Sequence, residues 1–139
     1  MADTLSTIQG VQVLVCAPDG EKLTSEREAL ELIDKAIGQG VEWIVVQVER
    51  LEDEFFQLKT GLAGHIIQKF VTYRRHLVVL GDISRHVAKS RALKAFVYET
   101  NRGTQVWFLT DLQELDGRLD RLRERWTPLT SRRQNVTLW

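Results

Sequence analysis

The sequence predicts an α/β fold, a mainly parallel sheet of four or five strands with packed helices. Three observations carry that expectation. Short β-branched apolar runs alternate with stretches of helical periodicity, giving strand-helix pairs four times in succession. The linkers between them are short, with no internal repeat or low-complexity tract. At 139 residues and 43% apolar content, the chain can build one core without disulfide support. A single domain is expected over residues 1–126, followed by a C-terminal tail over residues 127–139 that could dock on the domain, swap onto a neighbour or stay loose.

The first strand is read at Val11-Gln12-Val13-Leu14-Val15-Cys16 and is closed by Pro18-Asp19-Gly20. Ser25-Glu26-Arg27-Glu28 has the pattern of a capping box. It opens a helix with Ala29, Leu30, Leu32, Ile33, Ala36 and Ile37 on its apolar side, stopped by Gly38 and Gly40. Trp43 to Val48 is a near-continuous apolar strand of the kind covered on both faces, and the charged stretch Glu49 to Glu54 reads as a loop. A helix beginning near Thr60 carries Leu62, Ile66, Phe70 and Tyr73 on one stripe. His76 to Leu80 is the next strand, ended by Gly81-Asp82. Ser84 or Ser90 starts the following helix, and Asn101-Arg102-Gly103 stops it. Gln105 to Leu109 is the last strand. Thr110-Asp111-Leu112-Gln113 is a second capping-box pattern, and Leu112, Leu115, Leu119, Leu122 and Trp126 repeat at helical spacing. That series is read first as a stripe packed on the sheet and otherwise as a dimer or partner seam, with Gly117 arguing against a long free coiled coil.

The 19 basic and 19 acidic side chains cancel, so global charge gives no argument for nucleic acid or an anionic membrane. Arginines cluster late in the chain, at Arg118, Arg121, Arg123, Arg125, Arg132 and Arg133; they read as a solvated helix face and a basic tail. Nucleic-acid binding through them is the least favoured reading. Cys16, the one cysteine, lies in an apolar run and reads as a small buried hydrophobe. Neither a signal peptide nor an apolar run of membrane-spanning length is seen, so cytoplasmic residence is expected.

Ligands of open α/β sheets usually bind beyond the carboxyl ends of the strands. Those ends carry Asp19, Glu49, Asp82, Ser84, Thr110 and Asp111, most of which also suit turns and caps on local grounds. His65, His76 and His86 lack metal-ligand spacing. Asp82, Ser84 and His86 are too close in sequence to assemble a triad, and no nucleophile elbow, dinucleotide loop or P-loop occurs. No metal or cofactor is therefore expected. With no complete catalytic set, a non-enzymatic role is favoured.

Thr60-Gly61-Leu62 follows a strand and opens a helix, where free backbone N–H groups favour negative charge. The stretch from Val45 to Phe70, with the strand at His76 to Leu80, resembles the STAS family of anti-sigma factor antagonists and their relatives. In that family an Asp-Ser-Ser-Gly-Leu type motif opens the helix, and the serine before the glycine accepts phosphate. The resemblance puts Thr60 in that place, with Gly61 and Leu62 kept; Leu58 and Lys59 replace the acid and the first serine. Thr60, Gly61, Leu62 and Lys59 are thereby a candidate phosphoacceptor or partner site.

From about Val11 to Leu109 the chain also resembles a bacterial family, domain of unknown function 4180. The residues carrying this are Leu58 to Gly64, Gln68-Lys69-Phe70-Val71, Gly81-Asp82, Glu99 to Gly103, and Val106-Trp107-Phe108. This resemblance implies no activity, but it marks the start of the Thr60 helix and the Asn101-Arg102-Gly103 turn as signature regions. Together these readings predict a bacterial STAS-like regulatory or protein-binding module, switched at Thr60, with a protein partner or a second copy as its target. The alternative is a small-molecule-binding protein or enzyme with a site at the strand ends, using Asp19, Asp82 and Ser84 together with Arg102.

Overall fold

The computed structural model describes residues 3–123. The domain boundary expected at 126, the tail over 127–139 and the end of the leucine series at Trp126 lie outside the described residues. In chain order the elements are β1 (Thr4–Ile8), β2 (Val11–Val15), α1 (Glu26–Gly38), β3 (Trp43–Gln47), α2 (Leu62–Thr72), β4 (His76–Leu80), α3 (Ser84–Lys89), α4 (Arg91–Arg102) and β5 (Val106–Leu109). A further helix, α5, covers residues 112–123. Three short 3-10 turns, Val48–Arg50, Asp53–Phe56 and Leu58–Thr60, connect β3 to α2.

The sheet has five strands in the order β1-β2-β3-β4-β5. It is mainly parallel, as expected, but mixed at one edge: β1 runs antiparallel to β2, while β2 through β5 are parallel. Gln9 and Gly10 both take positive φ, 51° and 77°, as a two-residue hairpin turn with the twist of its strands requires. β1 escapes a periodicity search because Thr4 to Thr7 are all exposed, leaving no buried face to impose an apolar pattern.

A parallel strand order that follows the chain, joined by right-handed crossovers, puts every crossover helix on one face of the sheet. The side chains sort accordingly. Leu14, Ile44, Val46, Leu77, Val79, Val106 and Phe108 point into the larger core with residues from α1, α2 and α4. Their neighbours Val13, Trp43, Val45, Val78, Leu80, Trp107 and Leu109 point to the opposite face, where Leu115 and Leu119 of α5 cover them. The near-continuous apolar strands follow from this two-sided cover.

Local chemistry departs from expectation in three places. Ser25 caps α1 by accepting from the Arg27 N–H at 3.2 Å, while its hydroxyl donates to the Glu28 carboxylate at 2.6 Å; the pair bonds side chain to side chain. At α5 the capping carboxylate belongs to Asp111, which accepts the Glu114 N–H at 2.9 Å, and Glu114 reaches back to the Thr110 N–H and hydroxyl at 2.8 Å each. The motif is shifted by one residue from the sequence reading. Finally, the charged stretch Glu49 to Glu54 contains a buried cation. Arg50 is 5% exposed and donates to the carbonyls of Glu21 and Ala17, tying the β2–α1 loop to the turn after β3. A Cβ on Gly20 would lie 2.6 Å from that guanidinium, so a side chain here would push Arg50 off its carbonyl partners.

Candidate functional site

Because β3 and β4 are adjacent, with Gln47 opposite Leu80, the segments leaving their carboxyl ends run side by side. After β3, Phe55 and Phe56 are buried and anchor the short turns over residues 53–60 against the core. After β4 come α3 and the start of α4, whose Ser90 hydroxyl accepts the Leu93 N–H at 3.0 Å. A cleft of about 420 Å³ lies between the two segments, and Asp53, Phe56, Lys59, His86, Lys89 and Ser90 are among the residues lining it. Its volume is in the range of small-molecule pockets.

One wall is a stack. The His86 ring lies parallel to Phe56, with centroids 4.0 Å apart and planes within 14°. Burial, reinforced by the Arg85 cation, pushes the His86 imidazole below its ordinary value of 6.5, with Asp53 pulling the other way. The ring is thus neutral at pH 7 and keeps both a donor and an acceptor nitrogen. Asp53, another lining residue, pairs with Arg85 at 3.3 Å, so Lys59 and Lys89 set the sign of the cleft. The arrangement suits a planar apolar group against the stack and an anionic group near the lysines.

Of the sequence-predicted residues, Lys59 lines this cleft, while Thr60, Gly61 and Leu62 follow it in the chain and are not among the lining residues. Thr60 is exposed. Its hydroxyl lies 2.8 Å from the Gln57 carbonyl and 3.0 Å from that of Glu54 as donor, and accepts the Leu62 N–H at 3.2 Å. Gly61, with φ 79°, is the N-cap residue of α2, whose first residue is Leu62, two positions beyond the start expected near Thr60. The Asp82 carboxylate accepts the Ser84 N–H at 2.9 Å; that bond, first among its causes, holds the exposed carboxyl below its ordinary value. Asp19 sits in the turn after β2, at the same end of the sheet but separated from β4 by β3. Arg102 ends α4 immediately before β5, which places it at the opposite, amino-terminal end. Asp19, Asp82 and Arg102 are therefore not brought to one rim.

Sequence reasoning missed the aromatic wall, His86 and Lys89 as a group. The adjacent Phe55-Phe56 pair inside an acidic stretch was the available signal. Among the described residues, no group of three or more His, Cys, Asp or Glu side chains could hold a metal ion, and no helix is long and apolar enough to cross a membrane.

The profile of a family described as a domain of unknown function, DUF4180, matches residues 8–119. The chain belongs to the DUF4180 family. Comparison with curated proteins and with solved structures returned no match. The DUF4180 match runs from the last residue of β1 into α5 and so includes both cleft-forming segments.

Proposed function

We propose that this DUF4180 protein is a small binding module, and that the cleft between residues 53–60 and the α3–α4 corner takes a small anionic ligand with a planar apolar part. The observation that carries this reading is the convergence of Lys59 and Lys89 on a cleft walled by the Phe56–His86 stack. It follows the alternative of a strand-end site, with residues other than the rim acids. Phenyl phosphate is a suitable probe, combining a ring with a dianion. In ¹H–¹⁵N spectra its titration is expected to shift Phe56, Lys59, His86 and Ser90 saturably. Lys59→Glu combined with Lys89→Glu is expected to weaken binding by about tenfold or more, the scale of a lost charge-assisted contact. Absence of a saturable shift at these residues would refute the assignment.

A second reading keeps the STAS-like regulatory module switched at Thr60, acting in a bacterial cytoplasm on a protein partner or a second copy. The exposure of Thr60 beside cleft-lining Lys59 favours it, as does the place of Thr60-Gly61-Leu62 between β3 and α2. A phosphate ester would remove the hydroxyl's proton, release its bond to the turn carbonyls and place roughly −1.5 to −2 charges next to Lys59. On this reading, phosphorylation closes the cleft to anions. Thr60→Glu is expected to reduce phenyl phosphate affinity; unchanged affinity would count against the switch.

A further inference from the structure

At the amino-terminal end of the sheet, opposite the cleft, α4 stops, the chain turns through Gly103 and Thr104, and β5 begins. α5 covers the second face there. Arg102 from the end of α4 and Arg118 and Arg121 from α5 line one concavity of about 110 Å³ with Gly103, Thr104 and Trp107. That volume is well below the range of drug-sized ligand pockets and suits a single compact ion.

The lining is held in place by contacts within the fold. Arg118 donates to the Asn101 carbonyl at 2.7 Å and lies over the Trp107 ring at 5.1 Å. The Trp107 indole N–H donates to the Gly103 carbonyl at 2.6 Å. The Asn101 side chain is clamped to the Phe108 backbone, accepting its N–H at 2.7 Å and donating to its carbonyl at 3.1 Å. One guanidinium edge of Arg118 thus closes the end of α4.

Of the nearby acids, one is held by an arginine of the concavity itself and two are engaged elsewhere. Glu99 lies 3.6 Å from Arg102, Glu114 caps the start of α5 through Thr110, and Asp120 pairs with Arg123 at 3.0 Å. Among the described residues no carboxylate forms an ion pair with Arg118 or Arg121. Burial first, and then the Arg121 charge, lower the Arg118 guanidinium from its ordinary value, with Glu114 opposing. A concavity gathering like charges gains most from a counter-ion. The carbonyl end of α4 disfavours an anion, and the Arg118 bond to the Asn101 carbonyl offsets part of that effect.

We propose that the concavity formed by Arg102, Arg118 and Arg121 is a phosphate-binding site, occupied by free phosphate or by the phosphate of a monoester. Guanidinium forks match the paired oxygens of a tetrahedral oxyanion, which lysines do not do as directionally. This assignment uses residues at the other end of the sheet from the cleft and does not depend on it.

The test is titration of the full chain with inorganic phosphate at fixed ionic strength. The readouts are the Trp107 indole N–H, the Arg118 Nε–H and the amides of residues 102–104. A saturable shift is expected. Arg121→Gln and Arg102→Gln, both exposed positions whose thermal midpoints report on folding, should each weaken binding by about tenfold. Arg118→Lys should weaken it while keeping the charge. Titration with phenyl phosphate separates the sources: tighter binding at these same probes identifies a monoester, and weaker binding identifies the free ion. The combined Lys59→Glu and Lys89→Glu variant should retain the site unchanged. Shifts that stay linear in concentration, that chloride reproduces, or that survive Arg121→Gln at wild-type affinity would overturn the proposal.

Discussion

Thr60 shows what one hydroxyl can do before any modification is considered. It accepts an N–H from the first turn of α2, which has no partner inside the helix, and its proton is directed at the carbonyls of the preceding turn. The same atom thereby fixes the wall that carries Lys59. Thr60→Val keeps the shape and removes the hydroxyl's hydrogen bonds, so a loss of about 1 kcal/mol is expected, read as a fall of about 3 °C in the thermal midpoint. Thr60→Ser should restore most of it. A Thr60→Val protein as stable as wild type would remove this capping role. Because Gly61 next to it sits at φ 79°, the helix entry is set by two residues with different tasks, hydrogen bonding at one and backbone freedom at the other.

At the scale of elements, α5 is the least replaceable. The three crossovers leave the second face of the sheet to it, and Leu115 and Leu119 are 0% and 1% exposed against Trp43, Val45 and Trp107. Leu115→Ala or Leu119→Ala should each cost about 2–5 kcal/mol, measured by urea unfolding. Leu5→Ala on the exposed β1, with Leu5 at 49% exposure, should change stability by less than about 0.5 kcal/mol. The contrast explains what was legible beforehand. The Leu115–Leu119–Leu122 spacing and the apolar runs of β3, β4 and β5 record burial, and burial writes itself into sequence as periodicity. β1 buries little and left no such record. The cleft was illegible for another reason. Phe56 and Lys59 follow β3, His86 and Lys89 follow β4, and only the adjacency of those strands brings them together; spacing along the chain carries no information about strand order. Arg50 was hidden likewise, since its carbonyl partners belong to the loop after β2.

For the whole molecule, acid should loosen the fold in two separable steps. Burial, reinforced by Arg85, lowers the His86 imidazole below its ordinary value of 6.5. Below that value the unfolded chain binds the extra proton more readily, so the contribution of His86 is full above about pH 6.5 and is lost as pH falls toward its folded value. Glu28 supplies the second step. Its carboxylate accepts the Ser25 hydroxyl and the Arg27 guanidinium, and the Ser25 bond, the larger cause, helps bring it from 4.5 down to about 2. Its contribution is complete above pH 4.5 and disappears as pH falls to about 2. Asp3 adds to that lower window: burial raises its carboxyl, but the Ala17 N–H and Lys35 together pull it below 3.8. Denaturation midpoints followed from pH 8 to pH 2 should therefore show a shallow decline beginning near pH 6.5 and a steeper one below pH 4.5. His86→Gln should flatten only the first, and Ser25→Ala should diminish only the second. Since His86 also forms the cleft wall with Phe56, phenyl phosphate binding should report the same histidine. Protonation adds a cation beside Lys59 and Lys89 and, while the fold holds, strengthens anion binding as pH falls from 7 toward 5. A wild-type affinity that stays flat across that range, with the probe's own second ionisation corrected for, would separate His86 from the anion-binding wall.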